Sequence, residues 1–350
     1  MRDTVKRRER SRKRANVSRR EFVQVSGMSA AGLALTGVLS PAEAKPPTQA
    51  PGKIKNFIKS VKDARLFDLS PTWDENSPIA LAVNPAFEMH LVHTHAQSTP
   101  LNDGGRQTFA AELMQFSGQH GAPSIDGLGH IGYRPNLSGD PVLFGGVDAI
   151  AASSDPLGIG RSGVGAHLDM AHYPQDLLVN RGILLDAARF IMGNFEPLPG
   201  PFEITAHHLM DTAAAQHVTL RAGDTVLIRT GWGQYFGTNN AVYGNFLSGA
   251  GPGLEAAEFL IDDAHRARAV GADTQTFEKR PAVIPGTGGQ PDEWFPAHTL
   301  LIPKNGVFII ENFFLEELAQ EEVYEFLLVV PPLKIRGGTG SALRAFALAP

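Results

Sequence analysis

Alternating apolar and polar side chains mark the first strands of this chain. Arg65–Ser70 (RLFDLS) and Phe87–His95 (FEMHLVHTH) read as extended segments, and in the second a period of two carries His93 and His95 to one face. Farther on the period becomes helical. Thr205 opens TAHHLMDTAAAQ as an N-capped helix, and Gly253–Asp273 (GLEAAEFLIDDAHRARAVGAD) reads as an amphipathic helix running into a strand near Val270–Asp273. β-rich runs occupy Asp224–Trp232 (DTVLIRTGW), Gly306–Asn312 (GVFIIEN) and a last strand within Tyr324–Ile335 (YEFLLVVPPLKI), with a short helix at Leu315–Ala319. Strands and helices interleave without a regular strand–helix–strand beat, which predicts an α/β protein with a mixed β-sheet core and covering helices.

Composition narrows the chemistry. With 350 residues, 43% of them hydrophobic and 19% charged, the chain can bury a sizeable core as one large domain or two small ones. Cysteine is absent, which excludes disulfides, thiolate nucleophiles and thiolate-ligated metals. Any metal must be held by imidazole or oxygen ligands.

The first 44 residues differ from the rest. Residues 1–20 carry ten Lys/Arg against two acids, an apolar run follows over Val25–Leu39, and Ala42-Glu43-Ala44 has the small-x-small pattern of a signal peptidase site. Arg19-Arg20, just before the apolar run in Ser18–Gln24 (SRREFVQ), resembles a twin-arginine export signal. The expected organisation is a signal over 1–44, a linker over 45–64 that includes the turn-rich Pro46–Gly52, and one folded domain over 65–350, in a periplasmic or secreted protein. Without residues 1–44 the chain keeps 21 basic and 32 acidic residues, a net charge near −11, which argues against nucleic acid as a partner. No later apolar run is long enough to span a membrane.

The common nucleophile and nucleotide signatures are missing: no Gly-x-Ser-x-Gly elbow, no phosphate-binding loop, and no Gly-x-Gly-x-x-Gly after a strand. A hydrolytic water would therefore need a metal or a histidine to activate it. Residues 117–133 (SGQHGAPSIDGLGHIGY) place His120, Asp126 and His130 in one Gly-rich run. If Ser124–Ile131 is extended, Ser124, Asp126, Leu128 and His130 share a face, with His130 roughly 13 Å beyond Asp126. Gly127 and Gly129 permit a bend that shortens this distance. His167–Tyr173 (HLDMAHY) imitates a ligand motif but reads as a loop, and His207 and His208 are helix neighbours that face different ways. Phe67, Trp73, Trp232 and Trp294 are candidates for an aromatic pocket, with core packing as the default for each.

The 117–133 segment resembles the signature of the cyclase, or kynurenine formamidase-like, metal-dependent hydrolases, His-x-Gly-Thr-His-x-Asp-x-x-x-His. Here His120, Asp126 and His130 match, Ala122-Pro123 replace Gly-Thr, and Ser124 stands where the central histidine would be. Further similarities follow in order: LFDLSPTW (Leu66–Trp73), RGILLDAAR (Arg181–Arg189), GDTVLIRTGW, GADTQTFE, PAHTLLIPKNGVFIIEN and PPLKIRGGTGS. They run from about residue 65 to 345.

The resemblance implies the swivelling β/β/α cyclase fold and a divalent metal, zinc or manganese. Its ligands would be His120, Asp126, His298 and Glu311, with His130 moving the proton. Ser124 points to one ion rather than two. Such an ion polarises a carbonyl and lowers the pKa of a bound water toward neutrality. A histidine with an ordinary pKa near ~6.5 can take that water's proton and return it to the leaving atom. The expected activity is hydrolysis of a C–N bond in an amide, aryl formamide or cyclic imide. A lactone hydrolase or cyclising dehydratase on the same site, or a ligand-binding member of the fold without turnover, are the alternatives. A homo-oligomer acting on a small molecule is expected from the resemblance.

Overall fold

The four central strands are near-continuous apolar runs because both of their faces are covered. In the computed structural model, which describes residues 51–78, 87–96, 107–119, 121–136, 138–153, 163–287 and 291–350, nine strands form one mixed sheet. In chain order these are β1 Arg65–Asp68, β2 Ser124–Asp126, β3 Val179–Leu185, β4 Thr225–Ile228, β5 Ala269–Ala272, β6 Phe308–Glu311, β7 Glu325–Val329, β8 Gly340–Ala342 and β9 Phe346–Ala349. Their spatial order is β1-β9-β7-β3-β4-β5-β6-β2-β8. The β3-β4-β5-β6 centre is parallel, and the strands on either side of it pair antiparallel. This is the expected mixed sheet. Lys55–Pro350 form one unit, and residues 1–50, which include the expected signal, lie outside the described residues.

Side-chain alternation divides the core into two layers. Ile183, Leu185, Val226, Ile228, Val270 and Ile309 point to one face. There they pack on Leu209 and Leu260 of two covering helices, Ala206–Ala215 and Leu254–Ile261. Leu184, Leu227 and Ile310 point to the other face and share a cluster with Phe67 of β1, Ala347 of β9 and Ile125 of β2. Strands from opposite ends of the spatial order meet in one cluster, so the sheet is curled.

Three departures from the sequence reading have local causes. Pro51–Asp63, inside the segment read as a linker, is a helix, and Pro51 sits at its first position, where a missing N–H removes no helical bond. The amphipathic helix stops at Ile261, because the Asp262 carboxylate accepts from the N–H groups of Ala264 and His265 and turns the chain. The last long strand ends at Val329, before Pro331-Pro332, which have no N–H to give a ladder.

Many residues that carry the family resemblance build this scaffold. Arg181 bridges Asp224 (2.6 Å) and Glu325 (2.8 Å). Arg229, fully buried, binds Asp186 (2.8 Å) and Glu316 (2.7 Å) and lies over the Phe195 ring. Asp273 receives the N–H and hydroxyl of Thr230 and the N–H of Gly231, tying the turn after β4 to the end of β5.

Candidate metal centre

Strand pairing brings two carboxylates onto one face. β2 lies antiparallel to β6 with Asp126 opposite Ile309 and Ser124 opposite Glu311, so Asp126 and Glu311 are diagonal neighbours while Ile125 points into the core. His298 comes from a separate element. The short helix Pro296–Thr299 begins after Phe295, held at φ 55°, and its proline occupies the first turn. A π-helical turn over Leu300–Lys304 continues it.

His298 Nε2 lies 3.3 Å from Glu311 Oε1 and 3.7 Å from Asp126 Oδ2. One potential ligand atom from each residue falls within 4.8 Å of the others, and all three residues are buried. The opposite ring nitrogen of His298 donates to Glu278 Oε1 at 2.7 Å, which leaves Nε2 as the nitrogen that faces the carboxylates. Phe277 N donates to Glu311 Oε1 at 3.1 Å and fixes that carboxylate.

The electrostatics fit a cation. Burial, and then the Glu311 charge, push the Asp126 carboxyl well above the ordinary range, against the pull of His298. Burial also opposes a charge on His298, but hydrogen bonds and charges from Glu278 and Glu311 outweigh it and raise the imidazolium pKa well above its usual value. Asp126 Oδ1 is buried with no hydrogen-bond partner. Two facing carboxylates, an unpartnered carboxylate oxygen and an imidazole held by a second carboxylate form a donor set suited to zinc, manganese or iron.

His130 is folded back rather than extended. β2 ends at Asp126, and a turn closed by His130 N to Gly127 O (3.0 Å) returns the ring, so that Nε2 lies 3.9 Å from Asp126 Oδ1. Gly127 permits this path: a Cβ there would stand 2.8 Å from both Met170 Sδ and Thr339 O. His130 is half-buried, which keeps its ring open to solvent. Ser124, at the central-histidine position, donates its hydroxyl to Gln119 O at 2.6 Å. His120 lies outside the described residues.

Three residues beside the cluster were not legible as site residues. Glu278 stands in the GADTQTFE run, but only the tertiary fold brings it to His298, 20 positions away. Asn312, at φ 60°, accepts the Tyr243 hydroxyl at 2.7 Å and donates to Gly121 O at 2.9 Å, linking the end of β6 to the loop before β2. Arg280, completely buried, donates to Gln275 Oε1 (3.2 Å) and Tyr243 O (3.0 Å), and burial pushes its pKa down to about 10.

The remaining candidates settle elsewhere. His93 stacks on Phe109, and His95 Nδ1 pairs with the Thr108 hydroxyl at 2.9 Å, beside the separate hairpin of Glu88–His93 and Ala111–Gln115. His208 accepts from the N–H of Thr205 and closes a capping box, while His207 is exposed. Phe67 and Trp232 are core, and Trp294 is half exposed. Trp73 packs with Phe87 and Phe116 at centroid distances of 5.2 and 5.1 Å. This aromatic group reaches the site loop, since a Cβ on Gly121 would lie 2.9 Å from the Trp73 ring.

Comparison with known proteins identifies the fold and the family. A stretch of 154 residues is 32% identical to the isatin hydrolase of Roseibium aggregatum, 43% of this chain and 53% of that protein, so the match spans about half the length of the curated relative. A crystal structure of a novel cyclase superposes with a TM-score of 0.67 at 26% identity, over 85% of this chain and 91% of that one. Isatin hydrolase A from Ralstonia solanacearum gives a TM-score of 0.61 at 19% identity, over 88% and 100% of the two chains. An isatin hydrolase bound to the product analogue thioisatinate gives 0.60 at 21%, over 86% and 99%. At these lower identities the likeness establishes the fold. The family described as putative cyclase matches residues 67–279, more than half of the sequence, and the chain belongs to that family.

Proposed function

We propose that this chain is a metal-dependent hydrolase that cleaves the C–N bond of an amide, aryl formamide or cyclic imide. Asp126, His298 and Glu311, with His120, hold one divalent cation, zinc or manganese, and His130 carries the proton. The observation that carries this reading is the buried convergence of Asp126, His298 and Glu311, with Asp126 Oδ1 left without a hydrogen-bond partner. The similarity to isatin hydrolase supports a cyclic amide as one substrate of this class. Ser124 supports one ion over two, because it replaces the central histidine of the signature with a neutral hydroxyl, a poorer ligand than imidazole.

A divalent cation held by Asp126, His298, Glu311 and His120 would supply polarisation of the substrate carbonyl and a more acidic water. The protein's own groups do the rest. Glu278 keeps the Nδ1 proton of His298 in place, so that Nε2 stays turned toward Asp126 and Glu311. His130, half-buried at the edge of the cluster, takes a proton from the attacking water in its neutral form and delivers it to the leaving nitrogen. Water oxygen joins the carbonyl carbon, the C–N bond breaks, and the products are a carboxylic acid and an amine, or one ring-opened molecule that carries the acid with an amine (from a cyclic amide) or with an amide (from an imide). Trp73, Phe87 and Phe116 give a planar substrate an apolar surface next to the Gly121 loop.

Export through the signal of residues 1–44 to the periplasm or beyond, and assembly into a homo-oligomer, belong to the same proposal. The twin-arginine pattern supports the first, and the sequence resemblance supports the second.

The test is metal content and turnover together. Protein purified without chelator should carry about one equivalent of metal that depends on Asp126 and is missing from Asp126→Ala, and should hydrolyse members of a panel of cyclic amides, aryl formamides and imides. His130→Ala should retain the metal and lose ~10²–10⁴-fold in rate. Protein that takes up neither zinc nor manganese at this cluster overturns the proposal. Turnover confined to lactones would reassign the substrate to the ester class.

A further inference from the structure

The HLDMAHY segment, read from sequence as a plain loop, joins three polar side chains in a row. Asp169 is buried at 7% exposure and accepts the N–H of Gly337 on Oδ2 at 2.7 Å. Its other oxygen, Oδ1, lies 2.5 Å from His172 Nδ1. The far nitrogen of that ring, Nε2, faces Nδ1 of His167 at 3.0 Å, with the two rings nearly perpendicular at 84°. His167 holds its place through a left-handed backbone at φ 63°, following Ala166 at φ 55°.

This is the arrangement of a metal-binding histidine backed by a carboxylate. Burial works against a charge on Asp169, but the Gly337 N–H and His172 outweigh it and lower its pKa, so Asp169 is ionised and claims the Nδ1 proton of His172. The Nε2 lone pair of His172 is then turned outward onto His167. Tetrahedral zinc with Zn–N bonds of about 2.0–2.1 Å sets its two nitrogens about 3.3 Å apart. The observed 3.0 Å is a few tenths short of this, and His167 is exposed.

We propose that His167 Nδ1 and His172 Nε2 form a second cation site, a two-imidazole site for zinc or copper(II) completed by water, with Asp169 orienting His172. It uses no residue of the Asp126 cluster and stands independently of the hydrolase reading. The site also has structural reach. Met170, between the two histidines, occupies the space a side chain on Gly127 would need, so a cation bound here braces the turn that carries His130.

The experiment is zinc titration of the chelator-stripped full chain, compared with His167→Asn and His172→Asn. Asparagine tolerates the left-handed backbone at 167 and removes the imidazole. Each variant should bind one equivalent less than the parent. The Asp126→Ala chain should still bind one equivalent that His167→Asn abolishes. Copper(II) added to the parent should give an electron paramagnetic resonance spectrum with coupling to two imidazole nitrogens, reduced in either variant. Equal zinc uptake by the parent and His167→Asn, with an unchanged copper spectrum, overturns the site. That outcome leaves the two rings as a hydrogen-bonded pair and does not touch the Asp126 centre.

Discussion

Glu278 and His298 are joined twice through one oxygen: Glu278 Oε1 accepts both the backbone N–H and the Nδ1–H of His298, each at 2.7 Å. The first bond seats the helix that carries His298. The second sets the ring's tautomer and rotation. A carboxylate in this position raises the basicity of the opposite nitrogen and holds its aim, and the loss of such partners typically lowers metal affinity by about 10–100-fold.

Glu278→Gln keeps the shape of the side chain and removes its charge. Zinc affinity, measured against a competing chelator, should fall by about 10–100-fold with the fold intact by circular dichroism. Affinity equal to the parent's would show that His298 is not a ligand.

Tyr243→Phe deletes the hydroxyl that donates to Asn312 and leaves the Asn312 carbonyl oxygen without that donor in a buried setting. An unsatisfied buried acceptor costs about 1–3 kcal/mol. Thermal unfolding should shift down by several degrees. Because Asn312 also holds Gly121 O, proteolysis should report a loosened loop before β2. A melting temperature equal to the parent's would mean that another donor replaces the tyrosine.

Glu316 gives the protein a pH-dependent term. Burial is the largest influence and pushes its pKa from 4.5 to about 7, against the hydrogen bonds and charge of Arg229. A carboxyl with a raised folded-state pKa binds its proton more tightly when folded. Its contribution to stability is therefore complete below about pH 4.5 and is lost as pH rises toward about 7. In Glu316→Gln the fall in melting temperature across this window should be smaller than in the parent, even if the variant is less stable throughout for want of the Arg229 pair. Parallel pH profiles would place the Glu316 pKa at its ordinary value.

Short-range pattern carried most of the scaffold. β1, β4, β5 and β6 coincide with the alternating or β-branched runs, and Thr205 caps its helix as its side chain and position require. β8 and β9 were not legible, because Gly340–Ala342 and Phe346–Ala349 are too short and too rich in small residues to show a period of two. The helix at Pro51–Asp63 was obscured by the turn-forming residues just before it.

The site divides along the same line. By itself, the sequence limited the donor types, since a chain without cysteine leaves only nitrogen and oxygen donors, and its resemblance to a family signature and later blocks pointed to Asp126, His298 and Glu311 as candidates, which the fold gathers into one group. Tertiary structure decided what proximity does with them. The antiparallel register of β2 on β6 put Asp126 beside Glu311. A turn at Gly127 brought His130 back to 3.9 Å from Asp126, where an extended chain would have carried it away. Glu278 joined His298 from 20 residues away, and His167 met His172 in a segment that reads as a loop. Ligand chemistry is a property of residue type and is written locally. Which groups share a buried space depends on strand register and turn closure, which no local pattern encodes.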